Sequence, residues 1–160
     1  MLSIRTLLHP TDFSERSQYA FRLACSLARD YGARLILLHV GRQPVITPVG
    51  GVVPPEPERC EEELTEQLHK LEAQAPQLRV ESRLAMAGDP AAEILRVAQE
   101  TPCDLIVMGT HGWTGLGRLL MGSVAEQVVC RAACPVLTVK VPHAEPAPPE
   151  TPAVGVTGKV

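Results

Sequence analysis

The segment GTHGWTGLGRLLMGS, residues 109–123, tells more about this chain than the rest of its sequence. It follows an apolar run, residues 105–108, that is typical of a buried strand, and it precedes a predicted helix over 124–133. Its five glycines let the backbone approach a ligand closely, because glycine has no Cβ. Ser123 and Glu126 form an S-x-x-E pattern, which predicts Ser123 as the helix N-cap. A helix N-terminus attracts anions, so the stretch predicts a phosphate cradle.

Length and composition narrow the class of protein. A chain of 160 residues fits one domain. With a net charge of −3 and only 3% aromatic residues, it has neither the basic surface nor the stacking platforms of a nucleic-acid-binding protein. We expect no membrane span, because no apolar segment reaches the required ~20 residues. Arg5 and His9 interrupt the first apolar run, so we expect no signal peptide and a cytoplasmic location.

The five cysteines are odd in number and show no C-x-x-C pair: Cys25, Cys60, Cys103, Cys130 and Cys134. Small buried thiols in a reducing compartment are the expected interpretation. Cys130 and Cys134 would share a helix face if the last helix continued that far. Zinc ligation there is the weaker hypothesis, since zinc sites usually show closer pairs and further ligands.

Apolar periodicity predicts alternating strands and helices. The strands are expected at residues 2–9, 33–40, 78–87, 104–108 and 135–141, and the helices at 14–31, 58–75, 90–100 and 124–133. Ser14 and Asp89 are expected N-caps, and Gly32 is an expected helix stop. This alternation indicates an α/β fold, an open five-stranded parallel sheet with helices on both faces. We expect one domain over residues 1–141, with a surface loop at 41–57 and a disordered Pro/Ala-rich tail at 142–160.

Ligands of open parallel sheets bind at the carboxyl ends of the strands. After the first strand, Asp12 could accept hydrogen bonds from a ribose or help to hold a phosphate-bound cation. It could equally form a local turn before Ser14, and the spacing leaves both interpretations open. His9 and His39, at strand ends, fit interior histidines better than ligand contacts, whereas His111 lies inside the glycine-rich stretch and is the better candidate.

One long motif gives a family resemblance. Gly109, Gly112, Gly122 and Ser123 match the G-x2-G-x9-G-[ST] signature of ATP-binding universal stress proteins (UspA-like). Five further segments resemble landmarks of that family in the same order: LLHPTDFS (7–14), LLHV (37–40), GDP (88–90), DLIVMG (104–109) and CPVLTV (134–139). The resemblance covers residues 2–140, nearly everything except the tail.

The resemblance implies a Rossmann-like sheet of order 3-2-1-4-5, with the ligand between strands one and four. It implies that Asp12 lies near the ribose and phosphates, and that Pro10, Thr11 and Val40 border the adenine. Gly109, Gly112, Gly122 and Ser123 would hold the ribose and phosphates. The resemblance implies a less central place in the same nucleotide site for Gly88, Met108, His111 and Val124.

The same resemblance implies the ligand and the assembly. ATP, ADP or AMP is the expected nucleotide, with Mg²⁺ or Mn²⁺ held mainly by the phosphates, and no separate metal site in the protein. A homodimer through residues 136–139 is expected. The leading hypothesis is a nucleotide-dependent regulatory or stress-response module. A slow Mg²⁺-dependent ATPase is less favoured, because the loop lacks the lysine of a Walker motif. A stress scaffold that needs no nucleotide is the third hypothesis.

Overall fold

The computed structural model describes residues 3–41, 57–86, 88–110 and 121–140. Nine elements alternate along this part of the chain: β1 (Thr6–Pro10), α1 (Glu15–Tyr31), β2 (Arg34–Val40), α2 (Pro57–Glu72), β3 (Val80–Ala85), α3 (Pro90–Glu100), β4 (Leu105–Gly109), α4 (Ser123–Arg131) and β5 (Val136–Val139). The predicted tail at 142–160 and nearly all of the predicted loop at 41–57 lie outside the described residues.

The five strands form one parallel sheet in the order β3-β2-β1-β4-β5, which confirms the predicted fold class and strand order. β3 and β5 are the edge strands. None of the described helices combines the length and the apolar character that crossing a membrane requires.

Helices cover both faces of the sheet, as expected, because successive strand residues point to opposite sides. Leu7 lies in the cluster that packs α1 and α2 on one face, whereas Leu8 lies in the cluster that packs α3 and α4 on the other. The central strands are apolar on both faces, and the run 35–38 of β2 is fully buried. This double covering leaves the strand ends as the places where a ligand can enter the sheet.

Three predicted helix signals are confirmed. Ser14 is the N-cap of α1, and its hydroxyl accepts a hydrogen bond from the Ser17 N–H at 3.2 Å. Gly32 ends α1 in the left-handed conformation, with φ of 62°. Asp89 caps α3 by accepting from the Ala92 N–H at 2.9 Å. These caps fix where each helix meets its strand.

The prediction for the fourth helix is wrong at both ends. Gly122, not Ser123, is the N-cap of α4, and no side chain in the described part of the chain supplies a capping hydrogen bond. The Gly122 carbonyl already accepts from the Glu126 N–H at 2.9 Å, so Ser123 becomes the first helical residue. At the other end α4 stops at Arg131, and Ala132 is extended. Cys134 therefore does not continue the helix face that carries Cys130.

β1 pairs unequally with its two neighbours. It pairs with β2 over five residues, from Thr6 to Pro10, but with β4 only at Leu7 and Leu8. Pro10 has no N–H to donate to a ladder. Beyond the paired residues β1 and β4 separate, and a cavity between their carboxyl ends becomes possible. β1 was predicted over residues 2–9, with Pro10 ending it. The observed strand, Thr6–Pro10, begins later and includes Pro10.

His9 lies where the ladder between β1 and β4 stops. Its side chain is 0% exposed, and its Nδ1 lies 2.8 Å from the Val107 carbonyl, which makes Nδ1–H the donor. The Nε2 atom has no partner among the described residues. Burial lowers the pKa of His9 to about 4, although the Val107 hydrogen bond and the charge of Asp12 oppose this shift. The folded protein therefore holds His9 neutral.

A buried neutral histidine makes stability depend on pH. An unfolded histidine with a pKa of about 6.5 takes up a proton that folded His9 refuses until about pH 4, so stability is complete above pH 6.5 and falls as the pH drops toward 4. We predict that His9 alone accounts for a loss of about 2 kcal/mol in the free energy of unfolding between pH 7 and pH 5. Urea titrations at the two pH values measure it.

The control is His9→Asn, which keeps a donor near Nδ1 but cannot titrate. The variant should show a smaller difference between pH 7 and pH 5 than the wild type. The contribution of His39 is present in both proteins and cancels. Equal differences in both proteins would contradict the assignment.

Candidate functional site

A cavity of about 440 Å³ opens where the carboxyl ends of β1, β2 and β4 meet the amino ends of α3 and α4. It lies at the switch point of the sheet, because β2 and β3 follow on one side of β1 and β4 and β5 on the other. The volume lies within the usual range of small-molecule sites. The site is therefore formed by the separation of β1 from β4.

The cavity collects most of the residues that were predicted from the sequence. Nine of them line it: Pro10, Thr11, Asp12, Val40, Met108, Gly109, Gly122, Ser123 and Val124. Predicted residues His111 and Gly112 lie outside the described part of the chain. Residues that line the cavity without having been predicted are Ser17, Leu38, His39, Pro90, Ile94, Thr110 and Ala125.

Gly88 is described but is not among the lining residues. Its φ is +125°, a backbone conformation that residues with a side chain rarely adopt. A Cβ at this position would meet the Glu93 side chain at 3.1 Å. Gly88 thus serves the turn into α3 and packs on that helix. The structure does not bring it together with the other predicted site residues.

The turn between β1 and α1 forms one wall. Asp12 Oδ1 accepts from the Ser14 N–H at 3.0 Å and from the Ser14 hydroxyl at 2.6 Å, so Asp12 forms the local turn that was one of its two interpretations. Asp12 also lines the cavity. The turn holds Phe13 at a positive φ of 61°, which is uncommon for a non-glycine residue. The same carboxylate can therefore shape the turn and face a ligand.

Thr11 joins this turn to the end of β2. Its N–H donates to the Leu38 carbonyl at 2.8 Å, and its hydroxyl oxygen accepts from the Ser17 hydroxyl at 2.9 Å. The Thr11 carbonyl lies 2.8 Å from His39 Nδ1. Burial lowers the pKa of His39, against the opposing effects of the Thr11 hydrogen bond and the Asp12 charge. A neutral His39 with a protonated Nδ1 thus holds the turn against β2.

The amino end of α4 forms the opposite wall. The Gly122 N–H donates to the Thr110 carbonyl at 2.7 Å, and the Thr110 N–H donates to the Val139 carbonyl at 3.1 Å. These bonds bring both ends of the glycine-rich stretch together beside β5. Gly122, Ser123, Val124 and Ala125 all line the cavity, and among the described residues no side chain caps the helix. The first-turn N–H groups, which have no intrahelical acceptor, therefore lie at the border of the cavity.

The two walls differ in polarity. Val40, Met108 and Ile94 provide an apolar side, closed by Pro90 at the start of α3. The first turn of α4 provides N–H donors at the positive end of its dipole. No lysine or arginine stands among the described lining residues, and Asp12 is the carboxylate among them. The arrangement suits a flat apolar group at one end and an anion at the other.

The described residues offer little for a metal site made by protein alone. They contain no group of three or more histidine, cysteine, aspartate or glutamate side chains that could hold an ion. Asp12 is the carboxylate among the described residues that line the cavity.

Comparison with known proteins gives a consistent result. The model of the universal stress protein family matches residues 3–140. Universal stress protein MJ0531 of Methanocaldococcus jannaschii is 39% identical over 144 residues, which are 88% of this chain and 85% of the relative. Universal stress protein YxiE of Bacillus subtilis is 34% identical over 145 residues, which are 84% and 97% of the two chains.

Solved structures agree on the fold. The structure of MJ0577, a protein of M. jannaschii, matches with a TM-score of 0.73 and 27% identity, covering 89% of this chain and 99% of that one. A universal stress protein in complex with cAMP matches at 0.65 and 24%, covering 86% and 98%. One from Archaeoglobus fulgidus in complex with dAMP matches at 0.58 and 23%, also covering 86% and 98%. Matched along nearly its whole described length, this chain belongs to the universal stress protein family.

Proposed function

We propose that the cavity binds an adenine nucleotide, ATP in the first place, and that occupancy makes the chain a nucleotide-dependent regulatory module of the stress response. The observation that carries this proposal is that the amino end of α4, which no described side chain caps, opens into the same cavity as an apolar wall. Two proteins of the same fold hold adenine mononucleotides, cAMP and dAMP. That fold can therefore accommodate an adenine base.

The nucleotide is placed by matching its parts to the two walls. The adenine ring lies against Val40, Pro10 and Met108, where its desolvation is favourable. Thr11 and Asp12 lie beside the ribose. The phosphates accept hydrogen bonds from the first-turn amides of α4 and from the Ser123 hydroxyl, which is exposed at the first helical position. Gly109, and Gly112 and His111 outside the described residues, complete the proposed phosphate cradle.

Mg²⁺ or Mn²⁺ is proposed to accompany the phosphates. Without a lysine or arginine among the described lining residues, a triphosphate near Asp12 would carry uncompensated negative charge. A divalent ion bridging phosphate oxygens and facing Asp12 removes that repulsion. Fast hydrolysis is not proposed, since these lining residues offer no cationic side chain for charge developing on a transferring phosphate.

We propose that the chain forms a homodimer through β5 and that nucleotide binding regulates this assembly. β5 is an edge strand, and an exposed edge is a template for pairing with a second copy. Val139 at its end accepts the hydrogen bond from Thr110, at the start of the glycine-rich stretch. Binding at the cavity can thus reach the edge strand through one backbone contact. The proposed location is the cytoplasm, where ATP is abundant.

Gly122→Val tests the cradle. A branched Cβ at the N-cap position would stand where the phosphates approach the backbone, so we predict an affinity for ATP·Mg²⁺ at least ~10-fold weaker, or about 1.4 kcal/mol. Isothermal titration calorimetry measures the affinity. The matched control is Gln127→Val, one turn later on the same helix and outside the cavity lining, which should bind as the wild type does. Equal affinities in all three proteins would contradict the cradle.

Asp12→Asn tests the role of the cation. The amide oxygen can still accept both hydrogen bonds from Ser14, so the turn survives while the charge is lost. We predict that the variant binds ATP several-fold more weakly than wild type with Mg²⁺ present, but no more weakly when EDTA removes the metal. AMP serves as the ligand control, with an affinity little changed. A loss of the same size with and without Mg²⁺ would contradict the cation role.

Leu137→Lys tests the dimer. Leu137 on β5 is 37% exposed, and a lysine there would place like charges together across a two-fold axis. We predict at least a ~10-fold rise in the dimer dissociation constant, measured by light scattering after gel filtration. Leu23→Lys on α1, at a residue that is 36% exposed, is the matched control and should leave the dimer intact. A wild-type chain that is monomeric at every concentration would overturn the assembly but not the nucleotide site.

A further inference from the structure

Two cysteines lie together at the amino end of the sheet, opposite the nucleotide cavity. Cys103 stands two residues before β4, and Cys134 stands two residues before β5. The two strands are parallel, with Ile106 beside Val136, and the Ile106 N–H donates to the Pro135 carbonyl at 3.0 Å. The neighbouring strands bring the two cysteines into one place: both pack in the apolar cluster beneath α3 and α4, and both line one small cavity.

A second cavity, of about 290 Å³, gives access to the pair. Both cysteines line it, together with Leu95, Ala98, Gln99, Pro102 and Ala133. Cys103 is only 9% exposed, whereas Cys134 is half-buried. A small oxidant that enters this cavity therefore finds the thiol of Cys134 more accessible than that of Cys103.

The two sulfur atoms differ in exposure. Burial raises the pKa of both thiols, that of Cys103 to about 12. The Cys103 thiol is buried and donates to the Leu105 carbonyl at 3.2 Å, whereas Cys134 is half-buried. Exposure therefore favours Cys134 as the sulfur that an oxidant reaches.

We propose that Cys103 and Cys134 are a redox modification site that a hydroperoxide converts into a reversible disulfide. The Cys134 thiolate attacks one peroxide oxygen, the O–O bond breaks, and the departing hydroxide takes a proton, leaving Cys134 as a sulfenic acid. The Cys103 sulfur then attacks the Cys134 sulfur, the S–O bond breaks, and water leaves with the Cys103 proton. Two thiols and one hydrogen peroxide give one disulfide and two waters, and an external dithiol reverses the step.

The disulfide would have a structural consequence at a distance. It closes the chain between residues 103 and 134, a segment that contains β4, the glycine-rich stretch and α4. This segment holds the cavity wall formed by Gly122 and its neighbours. Oxidation at one end of the sheet would therefore restrain the segment that lines the cavity at the other end.

Peptide mapping of the full chain tests the site. Trypsin places Cys103 on peptide 97–118, Cys130 on peptide 119–131 and Cys134 on peptide 132–140, so each thiol is read separately. After treatment with hydrogen peroxide and alkylation, we expect peptides 97–118 and 132–140 to appear joined, and to separate with dithiothreitol. The reaction should be faster at pH 9 than at pH 7, because only the thiolate attacks peroxide.

Stability supplies a second readout. The oxidised chain should melt higher by about 10 °C, the size expected for closing a loop of this length in a domain of this size. Cys134→Ser should abolish both the joined peptide and the rise in melting temperature. Cys130→Ser, at an exposed position on α4, should keep both. Cys103→Ala should also lose the joined peptide and the rise in melting temperature. If this buried position does not tolerate the change, Cys134→Ser alone tests the site. Peptides joined through Cys130, a joined product only between two chains, or unmodified thiols would each overturn the proposal.

Discussion

β1 and β4 pair at only two residues, and this short ladder shapes the carboxyl end of the whole sheet. The ladder between them holds Leu7 and Leu8, and the His9 imidazole then occupies the Val107 carbonyl. Beyond Leu8, no further residues of β1 pair with β4. The sheet therefore opens at its centre, at the carboxyl ends of its strands, while its amino end stays closed.

The opening becomes a site because each border is tied to a neighbouring strand. The β1–α1 turn is held to β2 through Thr11 and His39, and the start of α4 is held to β5 through Thr110. Neither border depends on the ligand for its position. A cavity with such fixed walls loses little conformational freedom on binding, which favours affinity. It also means that a nucleotide would act on the edge strand by tightening existing contacts.

The chain's sequence predicted the fold well because the relevant signals are local. Apolar runs and caps such as Ser14 and Asp89 are short-range features, and their order dictates a parallel sheet. The family resemblance supplied the strand order. The N-cap of α4 was missed, since glycine and serine both suit that position and the S-x-x-E pattern favoured Ser123. Only the hydrogen bond from Glu126 to Gly122 decides between them.

What the sequence could not provide is contact between distant segments. His39 fits the interior histidine that was expected, since it is partly buried and bonded to the Thr11 carbonyl. That it also lines the cavity could not be predicted, because its place depends on how Thr11 returns to β2. A histidine at the end of an apolar strand next to Val40 was the available signal. Cys103 and Cys134 likewise share a cavity because β4 and β5 are neighbouring strands, which no spacing along the chain encodes. Gly88 has a positive φ at the turn into α3, and its predicted part in the site stays a prediction.

The claim that bare amides at the start of α4 hold phosphate can be read atom by atom. Two-dimensional ¹H–¹⁵N NMR spectra of the labelled chain, recorded while ATP·Mg²⁺ is added, report on every backbone N–H. If the first turn of α4 holds the phosphates, the largest shifts fall on Ser123, Val124 and Ala125, with smaller ones at Thr11 and Val40. Saturable shifts that avoid the first turn of α4, or none at millimolar ATP, would contradict it.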